Sequence, residues 1–255
     1  EDIARLRADA PRELEIEAFA HGAMCVAVSG RCLLSAAMTG RSGNKGHCSQ
    51  SCRWSYALVE EKRPGEYFPI EEDVRGSFVL NAQDLCMIDH LDDLAAAGVD
   101  SIKLEGRNKK AFYVATVVHA YRAVLDGADP ASVHDDLLAI SHRPYGTGFY
   151  YGQPGQYYDN SRYIRDWQVC AVVTDCDADG NATLSLRNKF AAGDEIELVG
   201  PDSRPFTMTA PVMHDLEGFE LYEPRTPQTV FKMKLPRYVP PMSFVRHAVS
   251  LSAKD

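Results

Sequence analysis

Five of the seven cysteines lie within the first 86 residues, where their thiols could together ligate a metal ion or a cluster. Six residues separate Cys25 from Cys32, fifteen separate Cys32 from Cys48, three separate Cys48 from Cys52, and thirty-three separate Cys52 from Cys86. No pair forms the CxxC knuckle of most structural zinc sites. Wide spacing favours a site assembled from distant loops, as in many iron–sulfur proteins. Zinc ligation and unliganded core thiols remain alternatives.

Motifs for other kinds of catalysis are weak. A cysteine peptidase needs a histidine base beside its thiol, and no pattern pairs His21 or His47 with a cysteine. The GxSxG elbow of serine hydrolases and the HExxH motif of zinc proteases are both absent from the sequence. Residues 175–180 begin like a calcium-binding loop, but Leu186 stands where a bidentate carboxylate is required. We therefore predict a hairpin turn there.

The composition is that of a globular protein with an acidic surface. Hydrophobic residues make up 45% of the chain, and the formal net charge is −9. No stretch approaches the ~20 apolar residues of a membrane helix, and the first residues do not resemble a signal peptide. We expect a cytoplasmic protein with reduced cysteines. Because the net charge is negative, an RNA substrate would have to meet a local basic patch.

Hydrophobic periodicity predicts alternating strands and helices in the first half of the chain. The predicted strands are Leu14–Phe19, Ser77–Leu80 and Val99–Leu104, with a hairpin around Arg63-Pro64-Gly65, and the predicted helices are Asp2–Ala8, Ile88–Ala97 and Lys109–Leu125. This succession is typical of an α/β fold with parallel strands, and we predict the C-terminal part of a (β/α) TIM-like barrel over residues 1–128. Since a full barrel takes about 250 residues, we expect an N-terminal half-barrel elsewhere in a longer protein.

Functional groups of such a barrel lie in the loops that follow its strands. Three predicted loops carry such groups: the cysteine-rich loop that begins at His21, residues 81–86, and residues 105–107. We expect the three loops to converge on one face of the sheet.

The second half of the chain divides into two parts. Residues 129–166 are predicted to be a connector, within which residues 141–155 (SHRPYGTGFYYGQPG) mix basic, aromatic and glycine residues. This segment is either a surface stretch that packs its tyrosines on the barrel or an arm that contacts a nucleic acid. Short alternating strands over residues 167–255 predict a small antiparallel β-barrel, which would bind or position a substrate or a partner.

Several segments together carry a family resemblance. They are EAFAHGAMCVAVSGRCLLS, GHCSQSCRW, LNAQDLC, DSIKLEGR and SHRPYGTGFY. In this order they resemble motifs of the collagenase-like peptidase family of unknown catalytic type, a peptidase U family. Within it the chain is most similar to the prephenate-dependent tRNA uridine hydroxylation proteins. The resemblance runs from about residue 13 to the end of the chain.

The resemblance implies a cofactor and a reaction. Members that carry a four-iron, four-sulfur cluster hold it with four cysteines, which match Cys25, Cys32, Cys48 and Cys86, whereas Cys52 is not a ligand in that pattern. The implied activity is hydroxylation of the tRNA wobble uridine to 5-hydroxyuridine, with prephenate as co-substrate. The implied partners are therefore tRNA and prephenate.

Charged residues near the predicted strand ends are further candidates for catalysis. Glu17 and His21 are candidate acid–base groups, although Glu17 is equally well explained as an exposed strand carboxylate. Lys103, Glu105 and Arg107 alternate in KLEGR, so they are predicted to point to one side. Arg107 is suited to bind a carboxylate or a phosphate in bidentate fashion, or to pair with Glu105. Lys45 and Arg53 in the cysteine-rich loop are alternatives for the same task, with solvated surface charge as the simpler explanation.

Three functions thus compete. The first is a cluster-dependent RNA hydroxylase, which the four-cysteine set and the basic, aromatic segment favour. The second is a peptidase, the activity that gave the family its name. The third is a zinc-stabilised binding module without catalytic activity.

Overall fold

The computed structural model describes residues 1–24, 32–54, 56–58, 62, 64–65, 68–69, 82–152, 163–201 and 203–249. The chain divides into two compact units. The first comprises residues 1–137 and 141–164, and the second comprises residues 138–140 and 165–255. Residues 141–164, which the sequence analysis assigned to a connector, therefore belong to the first unit.

The first unit combines helices with a small sheet. Its helices are α1 (Asp2–Asp9), α2 (Leu34–Thr39), α3 (Leu91–Ala96), α4 (Ala111–Leu125) and α5 (His134–Leu138). Its strands are β1 (Glu17–Ala23), β2 (Ala57–Leu58), β3 (Phe68–Pro69), β4 (Asp84–Cys86), β5 (Ser101–Leu104) and β6 (Tyr145–Gly146). Short 3-10 turns cover Gly43–Lys45, Ser51–Arg53, Ile88–His90 and Pro130–Val133.

The main sheet of this unit has the strand order β5-β1-β4-β6. Strands β1 and β5 run parallel, as do β4 and β6, but β1 and β4 are antiparallel. The expectation that all strands run parallel is therefore wrong for this pair. The mixed α/β class is confirmed, and closure into a TIM-like barrel stays a prediction.

Strand β4 differs most from the sequence-based expectation. Residues 84–86 were assigned to a loop, yet they pair with β1 so that His21 lies opposite Cys86. The predicted strand over residues 77–80 and Asn81 lie outside the described residues. The hairpin predicted further upstream is confirmed, since Ala57 pairs with Pro69 and β2 is antiparallel to β3.

Helix α4 packs one face into the core of the first unit. Its buried residues follow the three- and four-residue spacing of one helical face, and they are Tyr113, Thr116, Val117, Ala120 and Tyr121. The helix begins at Ala111, two residues after the predicted start, and it ends at Leu125 as predicted. This helix therefore brings two tyrosines towards the sheet.

The second unit is an antiparallel sheet of eight strands, ordered β10-β9-β14-β7-β8-β13-β11-β12. The strands are β7 (Trp167–Cys176), β8 (Asn181–Leu186), β9 (Glu195–Gly200), β10 (Ser203–Thr209), β11 (Met213–His214), β12 (Glu220–Leu221), β13 (Val230–Lys234) and β14 (Phe244–Ala248). The predicted antiparallel strands are confirmed, while barrel closure stays a prediction. Strand β13 alternates exposed and buried residues, so one face of the sheet forms the core of the unit.

The turn between β7 and β8 is the predicted hairpin. The Asp177 carboxylate accepts hydrogen bonds from the backbone amides of Asp179 and Asn181, at 3.0 and 2.8 Å, and from the Asn181 side chain at 2.6 Å. These contacts lower the pKa of Asp177, with the Asn181 side chain as the largest cause. The carboxylate thus stabilises the turn. In the described part of the chain, no helix is long and apolar enough to span a membrane.

Candidate functional site

The first unit contains a cavity of about 1130 Å³. Residues from β1, the cysteine-rich loop, the segment after β5 and the segment after β6 contribute to its walls. The lining includes His21, Gly22, Cys32, Cys48, Glu105 and Arg107. Loops distant in sequence thus meet around one cavity, as the sequence analysis expected.

A β-bulge in β1 directs His21 inward. Along β1, Ala18 and Ala20 are buried while Glu17 and Phe19 are exposed, which is the normal alternation of a strand. The pairing with β5 then shifts between Phe19 and His21. Because the bulge inserts one extra residue, His21 is buried directly after Ala20. Its position is therefore inside the strand, not in the loop after it as predicted.

Aromatic rings surround the buried His21 imidazole. The ring centres of Tyr113, Tyr121 and Tyr145 lie 5.9, 5.5 and 5.3 Å from its own. Burial lowers the pKa of His21 to about 4, and the nearby Asp84 carboxylate opposes this shift. The imidazole is consequently neutral at physiological pH.

The Tyr121 hydroxyl sets the tautomer of His21. It donates to the Ala20 carbonyl at 2.8 Å, and it lies 3.4 Å from His21 Nδ1. Since the hydroxyl proton is engaged by the carbonyl, Nδ1 carries the imidazole proton and donates to the Tyr121 oxygen. Nε2 therefore keeps its lone pair, and no described group forms a hydrogen bond with it. Nε2 of the neutral imidazole is thus a buried hydrogen-bond acceptor.

Glu105 packs directly against Gly22 of β1, and this close approach requires glycine at position 22. Gly22 has φ +136°, and an added Cβ would lie 2.8 Å from both Cβ and the carbonyl oxygen of Glu105. The Glu105 carboxylate in turn accepts a hydrogen bond from the backbone amide of Arg107 at 2.8 Å. The ion pair with the Arg107 guanidinium, one of the two alternatives for Arg107, is not among the described contacts. The carboxylate instead stabilises the turn after β5.

Arg107 connects this turn to the cysteine-rich loop. Its guanidinium donates to the Gly43 carbonyl at 3.4 Å, and its Cδ would lie 3.4 Å from a Cβ added at Gly46. The side chain is exposed and lines the cavity. Lys45 is also exposed, and the Arg53 side chain lies outside the described residues. Arg107 is therefore the predicted cation that the fold places at the cavity.

Glu17 and Lys103 form an ion pair away from the described cavity lining. Lys103 Nζ donates to the Glu17 carboxylate at 2.8 Å, and about half of each side chain is exposed. Hydrogen bonding to Glu17 raises the pKa of Lys103. Glu17 begins β1, so the expectation that it lies at the end of the strand is wrong. The expectation that Lys103 points to the same side as Glu105 and Arg107 is not supported by the cavity lining.

Free thiols of the cysteine-rich loop face the cavity. Cys32 and Cys48 are free and partly exposed, and both line the cavity together with Cys52. The Gln50 backbone amide donates to Cys48 Sγ at 3.3 Å. Cys86 is free and lies opposite His21, where burial raises the pKa of its thiol. Cys25 lies outside the described residues.

Sequence reasoning missed the buried polar groups behind His21. These are Asp84, Tyr113, Tyr121 and Tyr145, all buried or nearly so. Tyr113 and Tyr121 share one helical face with apolar residues, so their spacing indicates core packing and nothing more. The only sequence signal for this group of residues was the polar Asp84, which stands two residues before Cys86.

The segment 141–155 is not a surface stretch throughout. His142 and Arg143 are 2% and 1% exposed, and the His142 ring stacks on Tyr145 at 4.5 Å. Phe149 and Tyr151 are exposed, and both line the cavity. The first part of the segment thus belongs to the core and the later part to the cavity wall.

Two family models match nearly the whole chain. Residues 1–160 match peptidase family U32, and residues 165–246 match the peptidase family U32 C-terminal domain. The chain belongs to peptidase family U32. The second matched region begins at residue 165, where the long segment of the second compact unit also begins.

Similar U32 proteins bear two kinds of name. "tRNA hydroxylation protein P1" of Bacillus subtilis (strain 168) is 38% identical over 92% of this chain and 58% of its own length. "tRNA hydroxylation protein P" of Escherichia coli (strain K12) is 32% identical over 79% of this chain and 55% of its own. A "Collagenase" of Porphyromonas gingivalis is 30% identical over 74% of this chain and 54% of its own. The chain therefore spans little more than half the length of each of these U32 relatives.

The thiols fit an iron–sulfur cluster in their chemistry. Thiolates are the usual ligands of such clusters, and the free thiols of Cys32 and Cys48 face one cavity. Within the described ranges, no three His, Cys, Asp or Glu side chains are grouped closely enough to hold a metal ion. Cys25 lies outside these ranges, so the four-cysteine ligand set of this U32 protein stays a prediction.

Proposed function

We propose that the chain is the cysteine-bearing part of a tRNA-modifying hydroxylase that depends on an iron–sulfur cluster. The observation that carries this proposal is the meeting of free thiols, the buried neutral His21 and Arg107 around one cavity. The relatives named tRNA hydroxylation proteins support tRNA as the substrate. The proposed reaction is hydroxylation of the wobble uridine to 5-hydroxyuridine.

The proposed ligands of a four-iron, four-sulfur cluster are Cys25, Cys32, Cys48 and Cys86. When bound, such a cluster supplies one-electron redox chemistry. The protein groups near it would bind and orient the substrates. His21 is fully buried, and the tyrosines around it exclude water from the imidazole, so it would act by supporting the wall of the cavity.

The proposed co-substrate is prephenate, a dicarboxylate. Arg107 lines the cavity with an exposed guanidinium, whose planar fork is suited to a carboxylate. The rest of the substrate pocket would come from an N-terminal half-barrel in a longer protein. In agreement with this assignment, the chain covers only 58% and 55% of the length of two relatives named tRNA hydroxylation proteins.

The decisive experiment measures iron, sulfide and zinc in anaerobically purified protein, for the wild type, Cys86→Ala and Cys176→Ala. Cys176 is buried in the second unit, so its variant is a matched control. We expect about four irons and four sulfides per chain, with a brown absorbance, in the wild type and the control but not in Cys86→Ala. Zinc in stoichiometric amount without colour would instead indicate a binding module.

A second measurement tests the reaction itself. The gene and its cysteine variants are expressed in a strain that lacks tRNA uridine hydroxylation, and tRNA nucleosides are quantified by mass spectrometry. We expect 5-hydroxyuridine with the wild type and Cys176→Ala only. Unmodified tRNA with a cluster-loaded wild type would refute the substrate assignment.

Peptidase activity is the second candidate, because collagenase-named relatives are similar to this chain. A protein nucleophile would act without the cluster. Gelatin cleavage that persists after iron removal would favour the peptidase. Gelatin cleavage that disappears with the iron would count against it.

A further inference from the structure

A second, smaller pocket adjoins the cavity in the first unit. Its volume is about 370 Å³. The walls of both contain Cys48, Gln50 and Asn108. Arg41, Trp54, Arg143 and Tyr163 also line the smaller pocket. A ligand in this pocket would therefore lie next to one in the larger cavity.

The charge of this pocket is opposite to that of the chain. Its described lining contains two arginines and no acidic residue, whereas the whole chain has a formal net charge of −9. Arg41 is exposed, and Arg143 is 1% exposed. A local cationic site on an acidic protein is what an anionic ligand requires.

Aromatic and amide groups accompany the two arginines. Trp54 is 43% exposed, so a face or edge of its indole is accessible to a ligand. The Arg143 guanidinium lies 5.2 Å from the ring centre of Tyr163, and Lys109 Nζ lies 4.2 Å from the same centre. Tyr163 also donates a hydrogen bond to the Gln50 side chain at 2.5 Å. These contacts fix the wall of the pocket and hold positive charge close to it.

We propose that this pocket binds a nucleotide next to the uridine that is modified in the larger cavity. Single-stranded nucleic acids are bound by basic grooves that follow the backbone and by aromatic side chains on which bases stack. Trp54 provides the stacking surface, and Arg41 binds the phosphate. Arg143 is buried in the wall of the pocket and adds positive charge there. This assignment rests on the proposed function, because it takes RNA as the substrate.

The test measures binding of a radiolabelled anticodon stem–loop RNA to the protein at a series of salt concentrations. Trp54→Ala is expected to weaken binding about tenfold, as loss of one stacked base does. Trp54→Tyr is expected to restore most of it. Arg41→Gln is expected to weaken binding and to reduce the slope of log K against log salt by about 0.7, the value for one phosphate contact in a single strand.

The control variant is Arg122→Gln. Arg122 is exposed on α4 and paired with Asp126, and it does not line either pocket. A second set of RNAs carries an abasic nucleotide on one or the other side of the target uridine. With the abasic nucleotide at one of these two positions, we expect Trp54→Ala and the wild type to bind the RNA with equal affinity, because the base that stacks on Trp54 is missing.

The outcomes separate the pocket from the proposed function. In one outcome the wild type binds the RNA, and the Trp54 and Arg41 variants bind it with the same affinity as Arg122→Gln. This outcome would overturn the pocket assignment and leave the proposed function intact. Absence of RNA binding in the wild type would overturn both. Thermal unfolding of every variant excludes loss of fold as the cause of weaker binding.

Discussion

Tyr121→Phe removes one hydroxyl from the centre of the first unit, and we expect it to lower the free energy of unfolding by roughly 2 kcal/mol. The hydroxyl donates to the Ala20 carbonyl at 2.8 Å and accepts from the Met87 amide at 3.0 Å. It also lies 3.4 Å from His21 Nδ1. Because Tyr121 is 1% exposed, water cannot replace the lost oxygen without rearrangement.

The size of this effect follows from which groups keep a partner. The Met87 amide also donates to the Ala20 carbonyl at 2.9 Å, so these two backbone groups remain bonded to each other. Their loss is that of an ordinary hydrogen bond, about 1 kcal/mol. His21 Nδ1 loses the contact that orients its proton, and since this contact is long, we assign it roughly another 1 kcal/mol.

The assay is urea unfolding followed by tryptophan fluorescence. The chain has two tryptophans, Trp54 in the first unit and Trp167 in the second. In a Trp167→Phe background, the fluorescence therefore reports unfolding around Trp54. Tyr151→Phe is the control. It also removes a tyrosine hydroxyl that forms a hydrogen bond, here with Asp93, but Tyr151 is 57% exposed. We expect this control to change the free energy of unfolding by less than about 0.5 kcal/mol.

A Tyr121→Phe variant as stable as Tyr151→Phe would refute the reasoning. It would mean that the hydroxyl is not needed to satisfy buried groups around His21. The same variant should leave the second unit unchanged, which a scan in a Trp54→Phe background checks.

Three further predictions concern other parts of the fold. Gly22→Ala should lower the free energy of unfolding by about 3 kcal/mol in the same urea assay, because its φ is +136° and the new Cβ would meet Glu105. Because burial lowers the pKa of His21 to about 4, the unfolded chain binds the extra proton as pH falls below about 6.5. Stability should therefore drop by about 2 kcal/mol between pH 7 and pH 5, and His21→Gln should lose that part of the pH dependence. Arg246→Leu should lower the free energy of unfolding of the second unit by about 3 kcal/mol, since it leaves Glu197 without its 2.6 Å partner; an unchanged calorimetric transition would contradict this.

The sequence predicted those elements whose signals are local. Helix α4 ends at Leu125 as predicted, since its apolar residues repeat with helical spacing over four turns. The turn at Asp177 was predicted because aspartate and glycine stand at turn positions between two alternating strands. The meeting of the cysteine-rich loop with residues 105–107 was also predicted, from the rule that loops after strands share one face.

The remaining features depend on pairings that no local pattern encodes. Strand β4 has three residues, one of them the polar Asp84, so its sequence resembles a loop until it is paired with β1. The bulge that buries His21 arises from the register between β1 and β5, and alternation along residues 14–19 gives no sign of it. The tyrosines behind His21 could be assigned to a core but not to a functional group, because burial and hydrogen bonding of Tyr121 depend on β1 and β4.

The strand order of the first unit also has a consequence for biosynthesis. Strand β1 pairs with β5, about eighty residues later, and β4 pairs with β6, about sixty residues later. Contacts of this range form slowly and only after the second partner has left the ribosome. Cys32, Cys48 and Cys86 are therefore synthesised before the sheet that positions them can form. Their thiols are therefore exposed on the nascent chain for several seconds, so protection of these thiols from oxidation matters before the sheet is complete.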